Sequence, residues 1–414
     1  MSENLNHRKA ETTLKIISAN GRPVANQELG FRLLNHEFLF GVGGFDAIEL
    51  EGGNTDGTAV TPERTAFLID KLDKYFAIHN YTTLPFYSGR YEPEEGKPDE
   101  KRLKAAALWY QKRNISVKGH PLCWHTVCSP WLMNYSNKEI LSKLKARIER
   151  DVAAFAGLID IWDVINEVVI MPIFDKYDNA VTRVCKEIGR VRMIKEVFAS
   201  ARAANLNATL ILNDFDTSID FEILIDGCLQ SGVPIDVIGI QSHQHQGYWG
   251  AQKVCEVLER FAHFGLPLHF TENTFISGDL MPAHIVDLND WQVDEWPSTP
   301  EGEARQAENF TEMYSLLFEH PSVQAITTWS GSDNAWLHAP AGLLHTDNSI
   351  KPSYTALETL IKKVWHSEGK ACTDSQGKVK LSGFKGQYEI DCIGKRYVFN
   401  LDGKAEEQCL VFSG

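Results

Sequence analysis

Short apolar runs alternate with amphipathic stretches along most of the chain. Eight of these runs are almost continuously hydrophobic, which is typical of strands buried on both faces of a parallel sheet. We predict strands at residues 36–42, 81–86, 116–122, 159–166, 209–214, 236–241, 266–272 and 325–330. Patterns that favour helices lie between them.

Helix starts are the clearest local signals. Ser136 and Glu139 form the S-x-x-E pattern of a capping box, in which each side chain accepts a hydrogen bond from the other residue's backbone N–H. Apolar residues at steps of three and four then run from Ile140 to Phe155. At residues 61–62 and 299–300 a threonine N-cap precedes a proline, which predicts two more helices.

Eight strand units that alternate with helices predict an α/β fold, the (β/α)8 TIM barrel. In such a barrel the chemistry lies at the C-terminal ends of the strands. The alternative is a doubly wound open sheet, which usually has a glycine-rich phosphate loop after its first strand. The glycines of residues 41–44 match that loop poorly, and we expect them to let the chain turn at the barrel rim.

Two flanking segments fall outside the predicted barrel, which spans residues 36–366. Residues 1–35 hold two strand-like runs around a turn-forming segment, which predicts an N-terminal β-hairpin extension packed on the barrel. Residues 367–414 alternate strand-like runs with Gly and Asp turns, which predicts a small C-terminal all-β appendage. Because the appendage has no tryptophan, we favour a structural cap over a sugar-binding module.

Charge and composition limit the kinds of partner molecule that we expect. The formal net charge of -14 repels phosphate backbones, so we expect no nucleic-acid partner. No run approaches the about 20 apolar residues of a membrane helix, and the polar start lacks the apolar core of a signal peptide. We therefore expect no membrane partner and a cytoplasmic location, or secretion if a signal has been removed. The sequence does not indicate whether the protein forms an oligomer.

The eight cysteines form no C-x-x-C pair. We expect reduced and mostly buried thiols. For an exported protein, one disulfide among Cys372, Cys392 and Cys409 of the appendage is the alternative.

Two glutamates end two of the predicted strands, Glu167 in IDIWDVINEVV and Glu272 in LPLHFTE. A carboxylate at the end of a buried strand is costly unless the site uses it. Two of them from different strands of one sheet supply what cleavage of a glycosidic bond requires, one acid and one nucleophile or base. Other strand ends carry tryptophan, amide and imidazole side chains, and this mixture suits a sugar, whose rings stack on indoles and whose hydroxyl groups form hydrogen bonds.

The motifs GHPLCWH, WDVINE, LILNDFD, IGIQSH, HFTE and a tryptophan-rich stretch ending in KPSY resemble glycoside hydrolase family 10, the family best known for endo-β-1,4-xylanases. They span roughly residues 36 to 365 in the family's order. The resemblance implies a (β/α)8 barrel, a β-1,4-linked xylan or related β-glycan as the carbohydrate substrate, retention of anomeric configuration, and catalysis without a metal or other cofactor. It casts Glu167 as the acid/base and Glu272 as the nucleophile.

The resemblance also implies the residues around this pair. His243 would hydrogen-bond to Glu272, and Asn166 would hold the 2-hydroxyl group of the sugar. The other implied substrate-binding residues are His120, Trp124, Gln241, Trp329 and Trp336. For the two tryptophans Trp124 and Trp329 a plain core position is the alternative. His125, His245 and Asp214 are candidates for supporting partners, and Asp163 is expected to anchor a hydrogen bond at the rim.

One segment departs from the family pattern. Family members usually carry Glu-Asn-x-x-Lys after the second strand, and here Thr83, Leu84 and Tyr87 stand at the three polar positions. Thr274 stands where an aspartate usually follows the nucleophile. We expect the binding site on the non-reducing side of the cleaved bond to have different contacts and to accept a different or decorated sugar.

Tyr87 and Arg90 are the predicted contacts of that binding site. Arg90 either meets a carboxylate such as that of a uronic acid or pairs with Glu92 or Glu94. Long loops after Glu167 and Glu272 either narrow the cleft, which favours short substrates, or pack on each other.

Two other functions compete with a glycosidase. Four histidines at strand ends, His120, His125, His243 and His245, would suit a metal-dependent hydrolase. The altered segment after the second strand would suit a non-catalytic barrel that only binds sugar.

Overall fold

The computed structural model describes residues 3–412 and divides into two compact units. One unit is Phe40–Tyr354, and the other joins the described residues before 40 to those after 354. The strands are β1 (Lys9–Ser18), β2 (Glu28–His36), β3 (Leu39–Gly43), β4 (Tyr81–Pro85), β5 (Ser116–His120), β6 (Ile161–Asn166), β7 (Thr209–Asp214), β8 (Val237–Gln244), β9 (Leu268–Phe275), β10 (Val323–Thr328), β11 (Glu368–Cys372), β12 (Lys378–Phe384), β13 (Gly386–Cys392), β14 (Lys395–Leu401) and β15 (Glu407–Phe412).

The helices lie mainly between the strands β3 to β10. They are α1 (Asp46–Gly52), α2 (Pro62–Ile78), α3 (Ser88–Tyr91), α4 (Glu100–Gln111), α5 (Asn137–Ala154), α6 (Ala180–Ile188), α7 (Arg190–Ala204), α8 (Ile219–Gln230), α9 (Gly250–Ala262), α10 (Pro300–Glu319) and α11 (Pro352–Thr359). Short 3₁₀ turns occur at Glu3–Arg8, Pro130–Asn134, Met171–Ile173 and Leu288–Asp290, and a π turn at Leu360–Val364. None of the helices within residues 3–412 is long and apolar enough to cross a membrane.

Strands β3 to β10 close into one barrel in the order β10-β3-β4-β5-β6-β7-β8-β9. The paired neighbours along this barrel run parallel. Each of the eight predicted strands overlaps one of them, and the prediction for β7 matches at both ends. The predicted (β/α)8 barrel is therefore confirmed, and the doubly wound alternative is wrong because β10 pairs with β3 and closes the sheet.

The glycines near the end of β3 serve close packing and do not form a turn. Gly43 and Gly44 are not among the described glycines with positive φ. A Cβ atom on Gly43 would lie 2.5 Å from the carbonyl oxygen of Trp329, and one on Gly44 would overlap the side chains of Thr82 and Tyr110. The expectation of a glycine turn at the rim is therefore corrected: only a residue without a side chain lets β3 approach its neighbours.

The predicted helix caps are confirmed. The backbone N–H of Ser136 donates to the carboxylate of Glu139 at 2.9 Å, and the hydroxyl of Ser136 accepts from the Glu139 N–H at 3.4 Å. Thr61 and Thr299 each accept a hydrogen bond from the backbone N–H three residues later, at 3.2 and 3.1 Å. Each cap stabilises its helix by about 1 kcal/mol.

The predicted N-terminal hairpin is wrong, because β1 and β2 belong to different sheets. β1 pairs with β12 and β15, and β2 pairs with β11 and β13. The two sheets have the orders β12-β1-β15 and β11-β2-β13-β14. A two-stranded hairpin would leave both outer edges unpaired, whereas the C-terminal strands cover both edges of β1 and of β2.

The two predicted flanks thus form one β unit and not two separate segments. Its core combines Leu14 and Ile16 from the N-terminal part with Leu381, Ile390 and other buried residues from the C-terminal part. The barrel unit accordingly spans Phe40–Tyr354 where the sequence predicted 36–366. The residues at positions 1, 2, 413 and 414 of the predicted flanks lie outside the described residues.

All eight cysteines lie within residues 3–412 and carry free thiols. Cys123, Cys185, Cys228 and Cys392 are buried. No disulfide joins the three cysteines of the β unit, and half of the eight thiols are buried, fewer than the expected majority.

Candidate active site

Glu167 follows directly on β6 at the C-terminal end of the barrel. Its backbone φ of 56° is in the left-handed region. The indole N–H of Trp124 donates to its Oε2 at 2.8 Å, and the amides of Asn166 and Gln241 donate to its Oε1, each at 3.1 Å. Burial, reinforced by the negative charge of Glu272, raises the pKa of Glu167 to about 8.

Glu272 lies on β9 and is 4% exposed. The amide of Asn213 donates to its Oε1 at 3.1 Å, and Nε2 of His243 lies 3.0 Å from its Oε2. Nε2 of His120 lies 3.9 Å from Oε1. Burial acts to raise the pKa of Glu272, but the positive charge of His120 and the hydrogen bond to His243 outweigh it and lower the pKa below its ordinary value.

A chain of amides links the two carboxyl groups. Asn213 donates to Oδ1 of Asn166 at 2.7 Å and also to Glu272, while Gln241 donates to the same Oδ1 at 3.1 Å and also to Glu167. Asn213 lies in the LILNDFD motif but is not among the predicted site residues. Its position beside Asp214 at the end of an apolar strand is the signal that could have selected it.

The two carboxyl groups therefore have opposite protonation near neutral pH. Glu167 keeps its proton because its surroundings disfavour its charge, and Glu272 is ionised because hydrogen-bond donors and nearby positive charge favour its anion. A pair of titratable groups whose pKa values are pushed apart can act as one acid and one nucleophile or base.

Asp163 lies inside the barrel and not at the rim, which corrects its expected position. It is 0% exposed and accepts a hydrogen bond from Nζ of Lys118 at 2.5 Å. The same oxygen lies 2.6 Å from Nδ1 of His120. Although burial acts to raise it, the charge of Lys118 and the bond to His120 lower the pKa of Asp163. This carboxylate therefore fixes the His120 ring whose other nitrogen faces Glu272, and the buried Lys118 was missed in the sequence.

Aromatic side chains form a wall around the carboxyl pair. The Trp329 ring lies 5.2 Å from His120 and 6.3 Å from His243, and Trp336 lies 4.1 Å from His243, between ring centroids. On the other side, Tyr87 lies 5.5 Å from His120 and 5.6 Å from Trp124. The structure thus brings the predicted site residues together in one cluster.

The segment after β4 divides into a buried part and an accessible part. Thr83 and Leu84 are both 0% exposed within the barrel, so neither presents a side chain on the accessible surface of the cleft. Arg90 is exposed, and its guanidinium carbon lies 5.7 Å from the centre of the Tyr87 ring. Of the two alternatives for Arg90, the pairing with Glu92 or Glu94 is wrong. These two carboxylates lie against other cations, Glu92 at 2.8 Å from Arg150 and Glu94 at 2.5 Å from Lys97.

The remaining histidines support the aromatic wall. His245 is 1% exposed and lies 4.9 Å from the Trp336 ring, and burial lowers its pKa to about 3. His125 lies 4.6 Å from the Phe174 ring, and burial lowers its pKa to about 4. Within residues 3–412 no group of three or more His, Cys, Asp or Glu side chains has the arrangement of a metal site. His120 and His243, two of the four histidines that suggested one, lie against carboxylates of the candidate site.

The barrel resembles solved structures of xylanases. Xylanase 10B from Thermotoga petrophila, solved in complex with xylobiose, matches with a TM-score of 0.63 and 20% identity over 79% of this chain and 95% of that one. A likeness at this identity shows the fold, a TIM barrel. With a pair of oppositely tuned carboxyl groups at its strand ends, the protein falls in the class of barrel-type glycoside hydrolases.

The sequence places the chain within that class. The model of glycosyl hydrolase family 10 matches residues 89–360. The chain belongs to glycosyl hydrolase family 10. It is 27% identical to endo-1,4-beta-xylanase B of Thermotoga neapolitana over 287 residues, 64% of this chain and 74% of the relative. It is 26% identical to endo-1,4-beta-xylanase C of Paenibacillus barcinonensis over 334 residues, 72% of this chain but 30% of that longer relative.

Proposed function

We propose that this protein cleaves β-1,4-linked xylan or related β-glycans and xylo-oligosaccharides by double displacement, with retention of anomeric configuration. Glu167 is the acid/base and Glu272 the nucleophile. The observation that carries this assignment is the opposite direction of their pKa shifts across one shared chain of amides. The xylanase names of the relatives support the choice of substrate.

In the first step the ionised Glu272 attacks the anomeric carbon. The bond to the leaving sugar breaks, and the proton on Glu167 moves to the departing oxygen, so that a glycosyl ester on Glu272 and a free alcohol result. Asn166 and Gln241 both donate to Glu167 at 3.1 Å, which orients its carboxyl group for this transfer.

In the second step Glu167 is ionised and takes a proton from water. The water oxygen attacks the anomeric carbon, the ester bond to Glu272 breaks, and the released sugar has the original configuration. His243 contacts the leaving carboxylate at 3.0 Å, which stabilises the charge that returns to Glu272.

The test is hydrolysis of a panel of aryl β-xylosides, aryl β-glucosides and their oligomers, with products identified by mass. Proton NMR of the first-formed anomer reports the stereochemistry. We expect release from at least one β-glycoside, retention, and loss of release in Glu272→Gln, a matched change that removes only the negative charge. An inverted first product, or release at the wild-type rate by Glu272→Gln, would contradict the assignment.

A second candidate substrate is a short or acidic, decorated oligosaccharide. The loops after β6 and β9 contact each other, because Lys176 lies 2.8 Å from Asp287 and 2.7 Å from Asp290. Since β7 and β8 separate these two strands in the barrel, the contact spans that part of the rim. The two loops therefore pack on each other, and we propose that this bridge also narrows the cleft and so favours a short chain over a polymer.

The loop bridge is tested by the ratio of oligosaccharide to polymer hydrolysis. We expect Lys176→Ala to increase polymer cleavage relative to an aryl xylobioside. Lys186→Ala removes an exposed lysine of the neighbouring α6 and should leave the ratio unchanged. Equal ratios in all three proteins would count against the short-chain substrate.

Arg90 is the group that would recognise an acidic decoration. Its guanidinium is exposed, and the Tyr87 ring beneath it lies 5.6 Å from Trp124, which donates to Glu167. A carboxylate on the sugar could therefore pair with the permanent positive charge of Arg90, which only the Tyr87 ring separates from Trp124 and Glu167. We expect Arg90→Gln to lower kcat/KM on uronic-acid-bearing oligosaccharides about tenfold, as the loss of one charged hydrogen bond does, and to spare neutral ones. A loss of equal size on both substrates would contradict this role.

A further inference from the structure

The main chain just after Glu167 is held by side chains from two other elements. We propose that Asp214 and Arg190 are positioning residues that clamp this segment and thereby aim the Glu167 carboxyl group at the departing oxygen. This inference rests on the proposed function of Glu167 as the acid/base.

The backbone of Glu167 needs such support. Its φ of 56° is a conformation that residues with a side chain rarely adopt, and it persists only where the surroundings impose it. The N–H of Glu167 donates to the carbonyl oxygen of Asn213 at 2.9 Å, so the turn begins against the end of β7. Because this φ sets the direction of the side chain, whatever holds the following peptide also sets where the carboxyl group points.

Asp214 holds this segment at the Val168–Val169 peptide, from the side of β7. It is 0% exposed, its Oδ2 accepts the Val169 N–H at 3.0 Å, and its Oδ1 accepts the Asp216 N–H at 3.0 Å. One carboxylate therefore joins the loop after β7 to the chain two residues beyond Glu167. Burial raises the pKa of Asp214 to about 7, the cost of placing a carboxyl group where it serves two backbone donors.

Arg190 holds the same peptide from the first residue of α7. Its Nε donates to the carbonyl oxygens of Val168 and Val169 at 3.2 and 2.9 Å, and its Nη2 donates to that of Val169 at 2.6 Å. Both the N–H and the carbonyl of Val169 are thus bound by side chains from other elements, Asp214 and Arg190. The guanidinium grips the Val169 carbonyl through two nitrogens in one plane, a bidentate contact that the point charge of a lysine ammonium does not reproduce.

The clamp also contributes to the charge around the acid. The charged groups that face Glu167 are Glu272 on β9 and Asp214 on β7, and both raise the pKa of Glu167, after burial. Arg190 on α7 contacts the peptide carbonyls and not the carboxyl group. Loss of Asp214 therefore affects both the direction and the protonation of the acid.

The kinetic test compares two leaving groups. A dinitrophenolate departs without a proton, so kcat/KM for a dinitrophenyl β-glycoside does not need the acid, whereas that for an unactivated oligosaccharide does. We expect Asp214→Asn and Arg190→Lys to lower kcat/KM on the oligosaccharide by roughly 10-fold or more and on the dinitrophenyl glycoside by less than about 3-fold. Asp216→Asn, which changes a neighbouring carboxylate but leaves both clamp contacts, should keep the wild-type ratio. Equal losses on the two substrates, or none, would overturn the proposal.

A second measurement is independent of activity. The Val169 amide should exchange with solvent deuterium roughly 10-fold faster in Asp214→Asn than in wild type, with the barrel strands unaffected. Unchanged exchange at Val169 would overturn the clamp even if no substrate were found. A wild type that hydrolyses no glycoside would instead overturn the proposed function. If Asp214→Asn does not fold, Arg190→Lys carries the same two tests.

Discussion

Replacing Glu167 by glutamine measures how strongly the fold disfavours a charge at this position. The pKa of Glu167 rises from an ordinary 4.5 to about 8, first through burial and then through the charge of Glu272. Because the unfolded chain loses this proton at lower pH than the folded protein, deprotonation favours unfolding. The stability linked to the group is fully present below about pH 4.5 and is lost as the pH rises through about 8.

The size of the effect follows from the shift. At about 1.4 kcal/mol per pKa unit, the rise corresponds to at most on the order of 5 kcal/mol. Since the side chain is partly open to solvent, which screens its charge, we expect a loss on the order of 1–3 kcal/mol in the free energy of unfolding between pH 4 and pH 9. Glutamine cannot ionise, so the variant should lack this loss. In the variant, the glutamine N–H₂ faces the Trp124 N–H. This contact changes the free energy of unfolding by the same amount at every pH.

The assay is urea denaturation of wild type and Glu167→Gln at several pH values between 4 and 9.5. The difference between the two free energies of unfolding should move in favour of the variant as the pH rises. Glu51→Gln, a change at an exposed glutamate, should follow the wild-type curve. Parallel curves for wild type and Glu167→Gln would refute the claim that the site destabilises the anion.

The same shifts determine the pH range of activity. The proposed first step needs a protonated Glu167 and an ionised Glu272, so kcat/KM should fall as the pH rises through about 8. On the acid side it should fall only below the ordinary pKa of a glutamate, because the pKa of Glu272 is lowered. A profile with its basic limb near pH 5 would contradict the assignment of the acid.

Three further outcomes are expected. Thr274→Asp should shift the acid limb of kcat/KM to lower pH. Thr274 Oγ1 lies 2.9 Å from Nδ1 of His243, and a carboxylate there would strengthen the hydrogen bond that holds the ring whose Nε2 contacts Glu272. An unchanged acid limb would contradict this role of residue 274. Asp163→Asn should lower the free energy of unfolding by about 3–5 kcal/mol in urea denaturation, because it leaves the buried charge of Lys118 uncompensated; a loss below about 1 kcal/mol would show the pair to be solvated. Ser136→Ala should lower the free energy of unfolding by about 1 kcal/mol in the same assay, because the helix cap is lost. An unchanged free energy of unfolding would show that the cap does not stabilise the protein.

The barrel and its catalytic end were predictable because both depend on local pattern. A strand buried on both faces is a continuous apolar run, so its length is visible in the sequence, as for Thr209–Asp214. A carboxylate or amide directly after such a run stands out, and parallel strands bring these ends to one edge of the barrel. Glu167, Glu272 and most of their neighbours could therefore be selected before their contacts were known.

What could not be predicted depends on partners that are distant along the chain. β1 and β2 carry strand patterns, but nothing in them says that their partners begin more than 330 residues later. Lys118 looks like the outward-facing residue of a strand, and its burial follows only from Asp163 on the neighbouring β6. Thr83 and Leu84 changed type relative to the family, but whether they face the cleft or the core depends on how β4 lies between β3 and β5.

The buried position of Thr83 and Leu84 changes what the family departure means. The family's polar residues at all three positions are replaced, but two of the replacements are buried and add no accessible surface to the cleft. Only Tyr87 reaches the site, where it contacts His120 and Trp124 and carries Arg90 over its outer face. The replacement therefore exchanges a grip of hydrogen bonds for an aromatic surface with one cation at its edge. We therefore propose that this surface discriminates substrates by ring stacking and by a negative charge on the sugar, while the proposed chemistry of the two glutamates stays the same.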